Sequence, residues 1–305
     1  AKELSGLVVF LRPLASDFHS FRNWYSSSRY AGYANIRQGI IYSMNIVAVK
    51  CLVDTVTPAL GFDYAEAFGI NTLVRESDAY PALALGGVSQ GVTNMQLTAA
   101  YAAIANGGVY QEPILYTRIL DSDGKILLEN ESESRQVIKE STAFLLTDAM
   151  ADSLEATRLN GLFSSSSPEA HLDNMSAAGK SGTTTDVNDL WFVGYTPYYT
   201  MAIWSGFDDN SNIPSEANRD YHKVIWRKIM EQINEGLPDI GFSKPDDIVE
   251  AEICSKSGKL ATDACRLDDR SDIVYTEYFV RGTEPTDYCD LHYTVEICAD
   301  SKMRS

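Results

Sequence analysis

Ala178-Gly179-Lys180-Ser181-Gly182-Thr183-Thr184-Thr185 decides how this chain is read, with Leu190-Trp191-Phe192-Val193-Gly194-Tyr195 directly behind it. A Lys stands beside a small hydroxyl residue, a Gly, then three Thr. Gly lets a ligand approach the backbone closely. The Lys brings a compact positive charge and the Thr residues bring donors. Together they make a rim suited to an anion, most simply a carboxylate. Leu190 to Phe207 is rich in Trp, Phe, Val, Tyr and Ile and breaks at Thr196-Pro197-Tyr198. That pattern reads as two strands joined by a short turn, so the Lys-Ser-Gly segment falls on or beside a sheet edge. No Gly stands where a phosphate loop needs one before Gly179-Lys180-Ser181, which excludes a nucleotide site of that type. Three such residues alone are common in loops, so the reading needs a second motif.

The second motif lies upstream. Ile36 to Leu52 reads as one helix, with Ile40, Ile41, Met44, Val47, Ala48 and Cys51 at helical spacing and Asn35 as N-cap. Ser43 and Asn45 then fall near its middle, where such side chains compete for backbone hydrogen bonds. Thr93 caps a further helix that stops at Asn106-Gly107-Gly108. Tyr116 to Leu128 reads as a hairpin around Asp123-Gly124. Glu140 to Leu154 is helical, and 159–172 is a polar loop. His222 to Glu235 is an amphipathic helix that should bury Val224, Ile225, Ile229 and Ile233. The composite is α+β, an antiparallel sheet with helices on its faces and a helical subdomain. Residues 1–22 stay unassigned, 23–237 form the main domain, and 238–305 form a linker and a Cys-rich tail.

With 305 residues and 45% hydrophobic content the chain can bury a real core, and its formal charge of −17 argues against nucleic acid. No apolar run approaches about 18 residues, so none here spans a bilayer, and Leu4 to Leu14 does not read as a signal peptide. Cys51 stands alone and reads as a buried small hydrophobe. Cys254, Cys265, Cys289 and Cys298 cluster at the end. Two disulfides are the expected arrangement and imply an oxidising compartment; of the three possible pairings, Cys254–Cys265 with Cys289–Cys298 is the first choice, and the sequence alone does not decide among them. A four-thiolate zinc site is the alternative, but Cys-x-x-Cys pairs are missing and no metal is expected. His19, His171, His222 and His292 read as surface residues, and none sits in a hydrolase or zinc-protease motif. Lys256-Ser257-Gly258 reads as a turn.

Ser43-Met44-Asn45 and Lys180-Ser181-Gly182-Thr183 together resemble the Ser-x-Asn and Lys-Thr/Ser-Gly elements of penicillin-binding proteins and serine β-lactamases. Gly91-Val92-Thr93 through Gly107-Gly108, Leu190 through Pro197, Gly282-Thr283-Glu284-Pro285-Thr286 and Cys289-Asp290-Leu291-His292 extend the likeness. The chain is similar, over about residues 23–300, to the transpeptidase domain of bifunctional (class A) penicillin-binding proteins, which cross-link peptidoglycan at the outer face of the bacterial cell membrane. The resemblance implies a D-Ala-D-Ala stem peptide or a β-lactam as ligand and no cofactor. It implies a Ser nucleophile that forms an acyl-enzyme. It also implies that Ser43 relays a proton, Asn45 orients the substrate amide, and Lys180 holds the local field. Ser181 and Gly182 would line the site, Thr183 and Thr185 would bind the carboxylate, and the Thr183 N–H would serve as an oxyanion donor. A glycosyltransferase domain and a membrane anchor, where present, would precede residue 1.

One element departs from the family. The nucleophile motif Ser-x-x-Lys should precede Ser43, usually before Pro, but Val9-Phe10-Leu11-Arg12-Pro13-Leu14 offers neither a nucleophile nor a titratable base. The one Ser-x-x-Lys in the chain, Ser122-Asp123-Gly124-Lys125, sits in the expected hairpin turn. An impaired transpeptidase domain is therefore the first expectation. A non-catalytic wall-binding module that keeps the carboxylate cradle is the second, and a serine β-lactamase fits less well.

Overall fold

The computed structural model describes residues 8–9, 23, 34–159, 163–214, 218–268 and 273–295. The chain divides into two compact units, Leu11–Ser243 and Lys244–Ser305 with Ala1–Phe10. Apart from 8–9, the remnant expected at 1–22 lies outside the described residues, as does Cys298.

The larger unit is organised on a three-stranded antiparallel sheet, in the order Thr200–Gly206, Asp189–Tyr195, Ala178–Thr183. Alternation sends Phe192 and Gly194 to one face and Val193 and Tyr195 to the other. Phe192 meets Trp226 edge-on, with ring centroids 5.0 Å apart. Leu154, Ala170, Leu172, Met175 and Met230 complete that cluster. Trp226 is fully buried, and truncating such a side chain to Ala costs about 3–5 kcal/mol. On the opposite face Tyr195 packs with Met150 and Ala178, flanked by Tyr101 and Ile104. Its hydroxyl shares a 2.7 Å hydrogen bond with Thr147. Helix Tyr221–Ile233 thus covers one face, and helices Asn94–Ala105 and Glu140–Ala151 cover the other. This is the α+β arrangement expected from the sequence.

Two glycines let the aromatic rings lie against this sheet. Gly179 and Gly194 are cross-strand partners. A Cβ on Gly194 would stand 2.7 Å from Trp226 Cζ2, and one on Gly179 would stand 2.7 Å from Phe192 Cζ.

The expected single helix over 36–52 is two helices, Ile36–Ile41 and Asn45–Lys50, the second running on through a π-helical turn at Cys51–Val56. Asn35 caps the first as expected: its Oδ1 accepts the Gln38 N–H at 2.8 Å, and Gln38 Oε1 accepts the Asn35 N–H at 3.2 Å. The break falls at Tyr42-Ser43, where Ser43 takes φ +50°. A left-handed residue ends the regular ladder, so Ser43 sits in a tight turn, not mid-helix. Met44 then enters the core with Ala34, Ile41, Tyr42, Val47 and Phe163.

Helix Tyr221–Ile233 buries a different stripe from the one expected. Ile225, Ile229 and Ile233 are exposed, while His222, Lys223, Trp226 and Met230 are buried. The larger Trp and Met side chains at i and i+4 offer more apolar area to the sheet than the isoleucines do. His222 is therefore not on the surface, and Cys51 is only half-buried.

The smaller unit pairs strand Ile248–Cys254 with Val274–Val280, with a short helix at Asp263–Arg266. Its core is Cys254, Cys265, Ile273 and Cys289, with Ala261 and Val274 alongside. The expected disulfides are not formed: Cys254, Cys265 and Cys289 carry free thiols. The three sulfurs gather around His292, whose side chain is largely buried, so it is not the surface residue expected. Among the described residues no single helix is long and apolar enough to cross a membrane.

His222 makes acid stability testable. It is 1% exposed. Burial, helped by the Lys223 ammonium, pushes its pKa down to about 4. The folded state therefore favours neutral His222. That contribution is complete above about pH 6.5 and is lost as pH falls towards 4. It amounts to about 3 kcal/mol. Melts of wild type and His222→Gln across pH 7 to 4 are expected to show a shallower acid decline in the variant. Equal declines refute the assignment.

Candidate active site

The sequence places Lys180 in a strand whose alternation puts it on the same face as Ala178, Val193 and Tyr195. That face looks toward the turn holding Ser43. Lys180 Nζ donates to Ser43 Oγ at 2.8 Å and to the Ser181 carbonyl at 3.1 Å. Two residues separated by 137 positions thus meet head to head. The left-handed turn is what aims the Ser43 hydroxyl at the strand. Gly39 permits it by letting the two helices close together, since a Cβ there would stand 2.6 Å from Val47 Cγ1.

Several side chains with no motif of their own hold these two in place. The buried Ser153 hydroxyl reaches the Gly179 carbonyl at 2.9 Å and the Met150 carbonyl at 2.8 Å, fixing the strand one residue before Lys180. Arg37 ties the first helix to Asp148 and, at 2.7 Å, to Asp152. Asn23 Oδ1 accepts the Ile46 N–H at 3.1 Å at the start of the second helix. Lys223 Nζ binds the Ser166 carbonyl at 2.9 Å, Glu169 at 3.0 Å and Asp220 at 2.8 Å. The Ser166 N–H in turn donates to the Ile41 carbonyl at 2.9 Å. None of these was singled out by motif, because each acts through a contact remote in sequence.

The remaining expected residues spread along the strand and past its end. Asn45 opens the second helix and is half-buried. Ser181 alternates to the face opposite Lys180, while Gly182 shares the Lys180 face and sits opposite Trp191. Thr183 ends the strand, and Thr185 lies beyond it in a turn; both are exposed. Thr184 shapes that turn, its Oγ1 accepting the N–H groups of Asn188 at 3.0 Å and Asp189 at 2.9 Å. Among the described residues the strand pairs on one side only, leaving its outer edge beside Ser43 and Lys180. Cys254, Cys265 and Cys289 belong to the other compact unit.

Electrostatically the centre is Lys180. Burial, helped by the Lys223 ammonium, lowers its pKa to about 8. Among the described residues its hydrogen-bond partners are neutral oxygens, whereas Lys50 pairs with Asp54, Lys223 with Glu169 and Asp220, and Arg37 with Asp148 and Asp152. An ammonium so placed attracts an anion and polarises the hydroxyl it holds.

A serine hydroxyl on a helix turn, held by a lysine from the edge strand of an antiparallel sheet with helices on both faces, defines the penicillin-recognising class of fold. Residues 13–231 match the family described as penicillin binding protein transpeptidase domain, and residues 244–294 match the penicillin-binding protein 1A C-terminal domain. The chain belongs to the penicillin-binding protein transpeptidase family. It is 35% identical over 268 residues to penicillin-binding protein 1A of Clostridium botulinum, covering 88% of this chain and 31% of that protein. It is 35% identical over 286 residues to penicillin-binding protein 2D of Bacillus subtilis, covering 92% and 39%. The chain thus spans about a third of the length of these relatives. In fold it is similar to the crystal structure of penicillin-binding protein 1A from Haemophilus influenzae, with TM-score 0.73 at 24% identity over 94% of this chain and 46% of that one.

The Lys180 environment can be read directly. In an NMR titration of lysines labelled at the ε-carbon, one resonance is expected to titrate near pH 8, absent in Lys180→Met. Lys223→Gln is expected to move that midpoint upward, since a repelling charge has been removed. A Lys180 that titrates near 10.5 with the bulk would overturn the assignment.

Proposed function

We propose that this domain binds the D-Ala-D-Ala end of peptidoglycan stem peptides, and β-lactams that mimic it, in the groove between the Ser43 turn and the outer edge of strand Ala178–Thr183. We further propose that the chain as it stands holds these ligands without forming an acyl-enzyme. The observation that carries the reading is the Lys180–Ser43 contact, an ammonium with neutral partners beside an unpaired strand edge. A peptide laid along that edge gains main-chain hydrogen bonds by strand addition. Gly182 lets its backbone come close. The exposed hydroxyls of Thr183 and Thr185 receive the terminal carboxylate, and the Thr183 N–H donates to the scissile carbonyl oxygen. Such a donor is worth about 3 kcal/mol when charge develops on that oxygen. Ser181 lines the same strand. Lys180 orients the Ser43 hydroxyl, which stands ready to pass a proton to a leaving amine, and Asn45 orients the substrate amide from the start of its helix.

Acylation needs a nucleophile, and no Ser-x-x-Lys occurs before Ser43. Ser122-x-x-Lys125 occupies a hairpin between strands Arg118–Leu120 and Ile126–Glu129, with Gly124 at φ +81°, so it serves as a turn. Lys180 activates a serine that relays protons; it does not replace the missing attacking group. As a member of its family the domain would work on the outer face of the bacterial cytoplasmic membrane. A glycosyltransferase domain and an anchor would be supplied by further sequence.

Two assays on the purified chain test this. Incubation with a fluorescent penicillin followed by denaturing electrophoresis is expected to leave no covalent band. Titration with an acyl-D-Ala-D-Ala peptide is expected to show saturable binding at millimolar concentration. That binding should weaken at least tenfold in Lys180→Ala and decline as pH rises through about 8, where the ammonium of wild type is lost. A stable covalent band would refute the claim about acylation, and a peptide that fails to bind would refute the carboxylate cradle.

A further inference from the structure

We propose that the smaller unit carries a structural zinc site built from Cys254, Cys265, Cys289 and His292. The four ligand atoms lie within 4.8 Å of one another. They come from three separate places: the end of strand Ile248–Cys254, the short helix Asp263–Arg266, and the segment holding Cys289 and His292 three residues apart. The sulfurs of Cys254, Cys265 and Cys289 stand 3.5, 3.6 and 3.3 Å from the same atom, His292 Nδ1. A tetrahedral zinc with Zn–S of about 2.3 Å and Zn–N of about 2.0–2.1 Å requires each sulfur to lie about 3.5–3.6 Å from the nitrogen. Disulfide formation would instead bring two sulfurs to about 2 Å, and the three thiols are free.

The surroundings of the cluster fit a metal. His292 turns its other nitrogen, Nε2, to Asp268 Oδ2 at 3.2 Å, and both side chains are largely buried. A carboxylate in that position fixes the imidazole tautomer that leaves the Nδ1 lone pair free for a metal. Backbone N–H groups of Lys256 and Ser257 face the Cys254 sulfur, and those of Leu291 and His292 face the Cys289 sulfur. In both cases the donors stand two and three residues after the Cys, so each sulfur sits in a small loop of backbone amides. Gly258, at φ +69°, lets the chain double back after Cys254, with its N–H on the Cys254 carbonyl at 2.8 Å. The Cys289 N–H binds the Leu260 carbonyl at 2.8 Å, and Lys259 pairs with Asp290 at 2.8 Å, which joins the two loops.

Ligand chemistry selects the metal and its role. Three thiolates and one imidazole at tetrahedral spacing favour zinc over calcium or magnesium, which take oxygen ligands. Four protein ligands close the coordination shell, so no position remains for water or substrate and the site is structural. The unit needs one. The cluster around the sulfurs is four residues, three of them the cysteines themselves, and the other buried apolar side chains among the unit's described residues are Ile248, Ile253 and Phe279. A domain of this size without a larger core usually relies on metals or disulfides.

The full chain, purified without chelator, is expected to hold one zinc per molecule by elemental analysis. Stripping the zinc and titrating in Co(II) should give the visible bands of tetrahedral cobalt together with thiolate-to-cobalt charge transfer. Asp268→Asn keeps all four ligands and is expected to weaken zinc about 10–100-fold in competition with a chromogenic chelator. These readouts do not depend on a ligand variant folding, because the first two use the unaltered chain. A fully reduced chain that takes up neither zinc nor cobalt overturns the proposal. So does a mass-mapped disulfide joining any two of Cys254, Cys265 and Cys289 in the native protein.

Discussion

The 2.8 Å contact from Lys180 to Ser43 is the interaction on which the larger unit's chemistry turns. It is costly to make. A half-buried ammonium loses hydration, and its depressed pKa records that cost. What holds it there is not a counter-charge but the framework on either side. The strand is clamped by the register of Ala178–Thr183 against Leu190–Tyr195 and by the Ser153 hydroxyl on Gly179. The serine is held by a turn whose neighbours are core residues. An anion beside Lys180 would return part of that desolvation cost.

The sheet that carries Lys180 is itself fixed by its aromatic packing. Phe192 and Trp226 on one face, and Tyr195 with Thr147 on the other, make register shifts prohibitive: a slip of one residue would exchange the two faces. It would also move Lys180 to the Ser181 face, away from Ser43. The pair Gly179 and Gly194 is part of the same constraint, since neither ring could approach the sheet over a Cβ. Placement of one ammonium is therefore a consequence of how three large aromatic side chains fill two cores.

Local signals in the sequence translated well where the deciding contacts are local. The caps at Asn35 and Thr93, the hairpin around Gly124 and the strands on either side of Thr196-Pro197 each rest on residues a few positions apart. The pairing of Ser43 with Lys180 was legible only because two motifs were read jointly. What could not be read depends on distant partners. The Ile225, Ile229, Ile233 stripe has the right period for burial, yet the sheet selects the Trp226 and Met230 stripe by size. His222 looks like a surface residue until Lys223, on the same helix, is seen to be held by Glu169. The cysteines were read as pairs because Cys-x-x-Cys was sought. The informative spacing was Cys289-x-x-His292, with a ligand of another type at the same interval.

Ser43 shows how packing alone can hold a site residue in place. A non-glycine residue in the left-handed region costs on the order of 1 kcal/mol and survives only where its surroundings over-determine it. Here they do so from both sides: Met44 is 2% exposed in a core of six residues, and Gly39 packs directly on Val47. Relaxing the turn would expose Met44, and burying a side chain of that size contributes about 1.5–3 kcal/mol, more than the strain. The conformation that aims the Ser43 hydroxyl is thus enforced by hydrophobic packing and not by the reaction it serves. None of those packing contacts involves the Ser43 hydroxyl itself, so the geometry of the Lys180–Ser43 pair does not depend on what the hydroxyl does.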